Sequence, residues 1–359
     1  MLNVINGRIV TETGIIEGNL YIKNERIHSI TSDKIFEGDV IDAKNQLVTP
    51  GFIDIHCHGG GGQLFSHDPE TALKAHKKRG TLGILPTIGY NMPKEVFLEG
   101  VKKCVLLNDA AVLGINCEGP FINKEYGADT RNVRKIEEEE YEAIYDEGKG
   151  RIRIWTFSPE LENAELFKDF LETKKEIIPC AGHTGCNREQ LKRTKLVCHL
   201  YDGMGPKERA CRDIHETGTA EAVLSDENLY AELIADCKGV HVSDLLLKVT
   251  CRAMGEDKII LISDAISTKE DYSDGDLNYN ELGQLSGSLM TVNLAVCNMV
   301  KHTGIKWHQA VKMATLNPAV LLGLDREIGS LVVGKKANVV IMSEEGNVYH
   351  VIENGRIYQ

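Results

Sequence analysis

Over the first 50 positions polar and apolar residues alternate in short bursts, in LNVINGRIV, GNLYIKNERIHSI and DVIDAKNQLVTP. Alternation of period two, broken by Asn-Gly or Gly-Asn, predicts β-hairpins of a small sheet. The last 30 residues read the same way, in GSLVVGKKANVVIMS and NVYHVIENGRIYQ. Chain ends often lie close together, so residues 1–49 and 328–359 are expected to pair into one small β-sandwich domain.

The middle follows another pattern. Short apolar runs recur at 48–56, 81–88, 110–118, 151–158, 176–183, 195–200, 229–236 and 258–265, and charged, helix-prone segments such as PETALKAHKKRG and PKEVFLEGVKKCVLL lie between them. Strands alternating with helices imply parallel pairing with right-handed crossovers. Eight such units predict an α/β fold, a closed (β/α)8 TIM-like barrel over 50–327. An open doubly wound sheet is the alternative.

Composition narrows the picture. Hydrophobic residues at 42% and charged residues at 26% suit a soluble globular protein. Nothing in the sequence reads as a membrane span or a secretory signal. The ten cysteines are scattered, form no CxxC and mostly sit in apolar runs, which predicts reduced thiols in a cytoplasmic protein. A net charge of −12 argues against a nucleic-acid partner, because phosphate backbones demand clustered Lys and Arg. The basic run KAHKKRG (74–80) reads as a solvated helix face.

On buried strands the polar residues carry the information. His56 and His58 end the first run, Glu118 the third, His183 the fifth, His199 the sixth and Asp264 the eighth, and His241 follows the seventh. In a barrel these ends converge on one rim. Residues i and i+2 of a strand share a side, so His56 and His58 can face one ion, while Cys57, Cys117 and Cys198 are expected to point into packing. Imidazole and carboxylate donors suit a divalent transition metal, with zinc, iron, manganese and cobalt all open. One such histidine alone would be read as a structural residue; the joint placement of five ligands and an acid predicts a metal centre. His28, His67, His76, His302, His308 and His350 lack that placement and read as surface or helix residues. Gly59 to Gly62 follow a strand as phosphate loops do, but neither GK[ST] nor GxGxxG is present. These glycines are expected to let the backbone pass close to the metal site.

The segments TPGFIDIHCHGGGG, CEGPFINKEYGA, TFSPE, AGHT, CHLYDGM, YAELIAD with GVHV, ISDA, GSLMTVNLAVCNMVKHTGI and NPAVLLGL span nearly the whole chain. Together they resemble the amidohydrolase superfamily and, within it, the N-acetylglucosamine-6-phosphate deacetylase family. The resemblance implies metal-dependent hydrolysis of the acetamide of an N-acetylated amino sugar, a small-molecule substrate and a homodimer. Glu118, His183 and His199 resemble the ligands of the principal metal, His56 and His58 a further pair that leaves one or two ions open, and Asp264 the catalytic aspartate. Ala128, His241, Leu285, Ser286 and Gly287 resemble substrate contacts. Departures fall on the same side of the site. Asp202 and Gly203 replace the family's Asn-Ala, His215 replaces its phosphate-gripping arginine, and Asp129 stands where relatives carry His or Gln. Lys207, Arg209 and Arg212 are the nearest cations that could substitute. Another amidohydrolase acting on a different N-acyl compound, cyclic amide or aminated ring is the alternative; a non-catalytic sugar-binding protein has little use for Asp264.

Overall fold

The structure is a computed structural model that describes residues 1–33, 38–205, 217–269 and 271–358. Eight parallel strands succeed one another in chain order around a sheet: β1 (Phe52–Cys57), β2 (Thr81–Ile88), β3 (Ile115–Glu118), β4 (Ile152–Phe157), β5 (Ile178–Ala181), β6 (Leu196–Val197), β7 (Tyr230–Ile234) and β8 (Ile259–Ile262). The sheet closes just beyond the C-terminal end of β8. There the Asp264 N–H donates to His56 O at 2.9 Å, and the His58 N–H donates to Ala265 O at 2.8 Å. That closure selects the barrel over the open sheet.

The strands are buried on both faces, which is why they read as continuous apolar runs rather than alternating ones. All eight residues of β2 are buried. Helices cover the outside: α1 (Pro69–Lys78), α2 (Lys94–Leu106), α3 (Glu138–Gly148), α4 (Ala164–Thr173), α5 (Thr219–Leu224), α6 (Asp244–Met254) and α7 (Val292–Thr303). Their starts are written in the sequence. Asp68 caps α1 by accepting the Thr71 N–H, with Pro69 opening the helix, and Ser243 caps α6 through the Leu246 N–H; such caps contribute about 1 kcal/mol each. One unit departs from the expected alternation. Between β5 and β6 the described chain forms turns and no helix.

The two chain ends meet as expected. Leu47–Pro50 pairs antiparallel with Val339–Met342, so that Thr49 lies opposite Val340. Around this seam one sheet collects Leu2–Val10, Ile15–Lys23, Arg26–Thr31 and Asp39–Asp42 from the N-terminus with Val348–Glu353 and Arg356–Ile357 from the C-terminus. It has its own core, including Val4, Leu20, Ile27, Val48, Val339 and Ile352. Among the described residues no helix is long and apolar enough to cross a membrane.

Candidate active site

The C-terminal strand ends bring the predicted side chains together. Glu118 Oε1 lies 2.7 Å from His183 Nε2, 3.1 Å from His199 Nε2 and 3.6 Å from His56 Nε2. His58 Nε2 stands 3.3 Å from His56 Nε2, 3.3 Å from Glu118 Oε2 and 3.2 Å from Asp264 Oδ1. All six residues are buried.

The outer nitrogens explain which way the rings face. His56 Nδ1 meets Glu232 Oε2 at 3.0 Å, His183 Nδ1 meets Tyr126 O at 2.6 Å, and His199 Nδ1 meets Asp202 O at 3.1 Å. Each partner is an acceptor, so each Nδ1 carries the proton and, in the neutral ring, each Nε2 presents a lone pair inward. Inward they meet carboxylate oxygens and one another. Facing lone pairs and carboxylates repel unless a proton or a cation lies between them. A buried set of imidazoles and carboxylates arranged this way fits a divalent transition ion. The donors form two overlapping groups. His56, Glu118, Cys198 and His199 have donor atoms within 4.8 Å of one another, as do His56, His58 and Asp264.

Electrostatics point the same way. Burial drives the His56 imidazole down, but the Glu232 carboxylate beside it overrides this and raises it to about 9. His199 is raised well above the ordinary histidine value, since burial is outweighed by its bond to Glu118 and the nearby Asp202. Burial pushes Glu118 up, while its hydrogen bonds with His183 and His199 hold it well below the usual carboxylate range. Asp264 is likewise lowered, burial being outweighed by the bond to His58 and the charges of His56 and His199. The centre therefore holds its carboxylates ionised and demands positive charge.

Backbone conformation at the rim is unusual. His183, His199 and Asp264 adopt φ of 48°, 22° and 48°, in the left-handed region that side chains rarely enter. Such residues cost on the order of 1–3 kcal/mol each and persist where surroundings over-determine them. Neighbouring glycines make the room. A Cβ on Gly203, at φ 58°, would sit 2.8 Å from His183 Nδ1. A Cβ on Gly59 would meet Ile266 O at 2.3 Å and Gln63 O at 2.4 Å, so the glycine run serves close backbone approach, as the sequence suggested.

A cavity of about 460 Å³ opens onto this centre. Of the predicted substrate contacts, Ala128, Asp202, Gly203, Leu285, Ser286 and Gly287 line it. The last three belong to a hairpin pairing Leu277–Tyr279 with Leu285–Ser288, and the Ser288 N–H donates to Asp264 O at 2.8 Å. His241 is not part of the cavity wall. Its N–H and Nδ1 both meet Asp236 Oδ2, at 2.8 and 3.2 Å, and the same carboxylate gathers the Val240 N–H. The two additional residues of that segment thus form a carboxylate-anchored turn. Asp129 pairs with Arg131 at 2.6 Å and does not line the cavity. His215, Lys207, Arg209 and Arg212 lie outside the described residues.

Cys57, Cys117 and Cys198 all lie in the packed core, and Cys198 Sγ also comes 3.5 Å from the outer Nδ1 of His56. The strand stops at Val197 and His199 turns to positive φ, so alternation no longer applies. His76 is helical as expected yet fully buried, with Nε2 2.9 Å from Gly59 O. Sequence reasoning missed Glu232, whose signal was a charge inside the apolar run YAELIAD, and Tyr90, which lines the cavity against His183.

Comparison with known proteins agrees with the fold. The N-acetylglucosamine-6-phosphate deacetylase of Bacillus subtilis (strain 168) is 28% identical over 386 residues, covering 97% of this chain and 95% of that protein. The N-acetylgalactosamine-6-phosphate deacetylase of Escherichia coli O157:H7 is 28% identical over 380 residues, covering 98% and 97%. The crystal structure of N-acetylglucosamine-6-phosphate deacetylase from Pasteurella multocida superposes with a TM-score of 0.86 at 26% identity, covering 99% of each chain. Residues 47–358 match the amidohydrolase family, to which this chain belongs.

Proposed function

We propose that this chain hydrolyses the acetamide of an N-acetylated amino sugar 6-phosphate, of gluco or galacto configuration, giving the amino sugar and acetate. The observation that carries the reading is Asp264 standing 3.2 Å from His58 within a cluster of metal-ligand side chains at the floor of a sugar-sized cavity. Glu118, His183 and His199 would hold one divalent transition ion, zinc being our choice, with His56 and His58 extending the set to a second. When bound, the ion supplies Lewis acidity toward the acyl oxygen and the attacking water. Asp264, ionised at neutral pH, takes a proton from that water and returns it to the departing amine nitrogen. Glu232, Tyr126 and Asp202 fix the imidazole orientations. The hairpin carrying Leu285, Ser286 and Gly287 covers the sugar, and Ala128, Asp202 and Gly203 complete the wall. His215 we assign to the phosphate end; His241, held on Asp236 outside the cavity wall, is given no sugar contact.

We also read the protein as a cytoplasmic homodimer. The nine described cysteines are all free thiols, which supports a reducing compartment; light scattering checks the dimer. One observation favours a second reading, an amidohydrolase of some other N-acyl, cyclic amide or aminated substrate. Among the described residues the cavity wall carries Asp202 and Glu281 and no Lys or Arg. Acetate release from N-acetylglucosamine, N-acetylgalactosamine and their 6-phosphates separates the two readings, and turnover of none of the four discards the first.

A further inference from the structure

Tyr90 follows β2 and is almost wholly buried in the cavity wall. Its hydroxyl oxygen accepts the Ala128 N–H at 3.2 Å. Among the described residues no acceptor takes the hydroxyl proton, which is left for the cavity. The ring stands edge-on to His183, centroids 4.6 Å apart, while a Cβ on the preceding Gly89 would lie 3.2 Å from His58 Cε1. Gly127 keeps space beside the hydroxyl, since a Cβ there would come 3.0 Å from it. Tyr90 is thus placed beside the candidate metal-ligand histidines His183 and His58. Tyr90 lines the same cavity as His58, Glu118, His183, His199 and Asp264.

We propose that Tyr90 is a catalytic residue that donates its hydroxyl hydrogen bond to the acyl carbonyl oxygen, the atom that gains negative charge as the tetrahedral intermediate forms. This rests on the deacetylase reading. The Ala128 N–H polarises the hydroxyl and, with the ring's packing, restrains its direction before substrate arrives, which limits reorganisation during the reaction.

The test compares wild type and Tyr90→Phe on the N-acetyl substrate and on its N-trifluoroacetyl analogue, whose oxyanion is less basic and needs a donor less. The expected result is a kcat loss of roughly 10²-fold on the acetamide, with KM little changed, shrinking to under about tenfold on the trifluoroacetamide. A purely structural role would lower both equally. Equal losses, or an acetamide kcat within about threefold of wild type, overturn the proposal. Should Tyr90→Phe not fold, 3-fluorotyrosine at position 90 decides, being a stronger donor and weaker acceptor. Unchanged or raised kcat below the phenol's own ionisation supports donation, and a drop overturns it. Failure of the wild type on every N-acetyl hexosamine would instead sink the functional reading itself.

Discussion

His56 and His58 turn their Nε2 atoms toward each other at 3.3 Å, although the Glu232 carboxylate holds the proton of His56 on Nδ1. Two side chains two residues apart at the end of one strand are thereby set as a pair of donors. Their arrangement makes sense around positive charge and is repulsive without it.

Glu232 has a specific consequence. Glu232→Gln removes the charge that orients and enriches His56, so metal affinity is expected to fall roughly 10–100-fold. Chelator titration of the loaded protein measures it; affinity equal to wild type would remove Glu232 from the design of the centre.

Asp264→Asn separates chemistry from binding. Metal content should stay near wild type, while kcat falls roughly 10²–10⁴-fold, the scale of a lost general acid/base. Metal analysis beside steady-state kinetics checks both halves, and comparable activity in the variant would exclude Asp264 from proton transfer.

Phosphate recognition is tested through the segment that follows Gly205. Arg209→Ala and Arg212→Ala should raise KM for a 6-phosphorylated substrate and leave the unphosphorylated sugar unaffected. Unchanged KM in both variants would place phosphate recognition elsewhere.

His76 predicts an acid-side loss of stability. Burial pushes its imidazole from 6.5 down to about 4, so between these values the unfolded chain binds the proton and the folded one does not. The neutral-ring contribution is complete above pH 6.5 and is lost as pH falls toward 4, about 3 kcal/mol in all. Asp54, raised by burial to about 6, opposes part of that slope. The readout is therefore the difference between wild type and His76→Gln, which keeps a donor toward Gly59 O. Denaturant melts from pH 7.5 to 4.5 should converge as pH falls, and parallel curves would contradict the assignment.

Much of this arrangement was legible before the structure. A parallel barrel buries its strands on both faces, so Glu118, His183, His199 and Asp264 stood out as polar residues ending apolar runs. Glu232 was equally visible but lies within its strand rather than at its end, and strand-end logic passed over it. Tyr90 sits in a short turn, where no local pattern shows which way a hydroxyl points. Cys198 falls next to His199, whose bonds to Glu118, Glu232 and Asp202, rather than periodicity, set the backbone there.

The most direct measurement joins metal analysis of the purified protein to acetate release from N-acetylglucosamine-6-phosphate and N-acetylgalactosamine-6-phosphate. The account predicts at least one divalent transition ion per chain, with acetate and free amine formed in equal amounts from one of the two. Metal-replete protein that releases acetate from neither would contradict it.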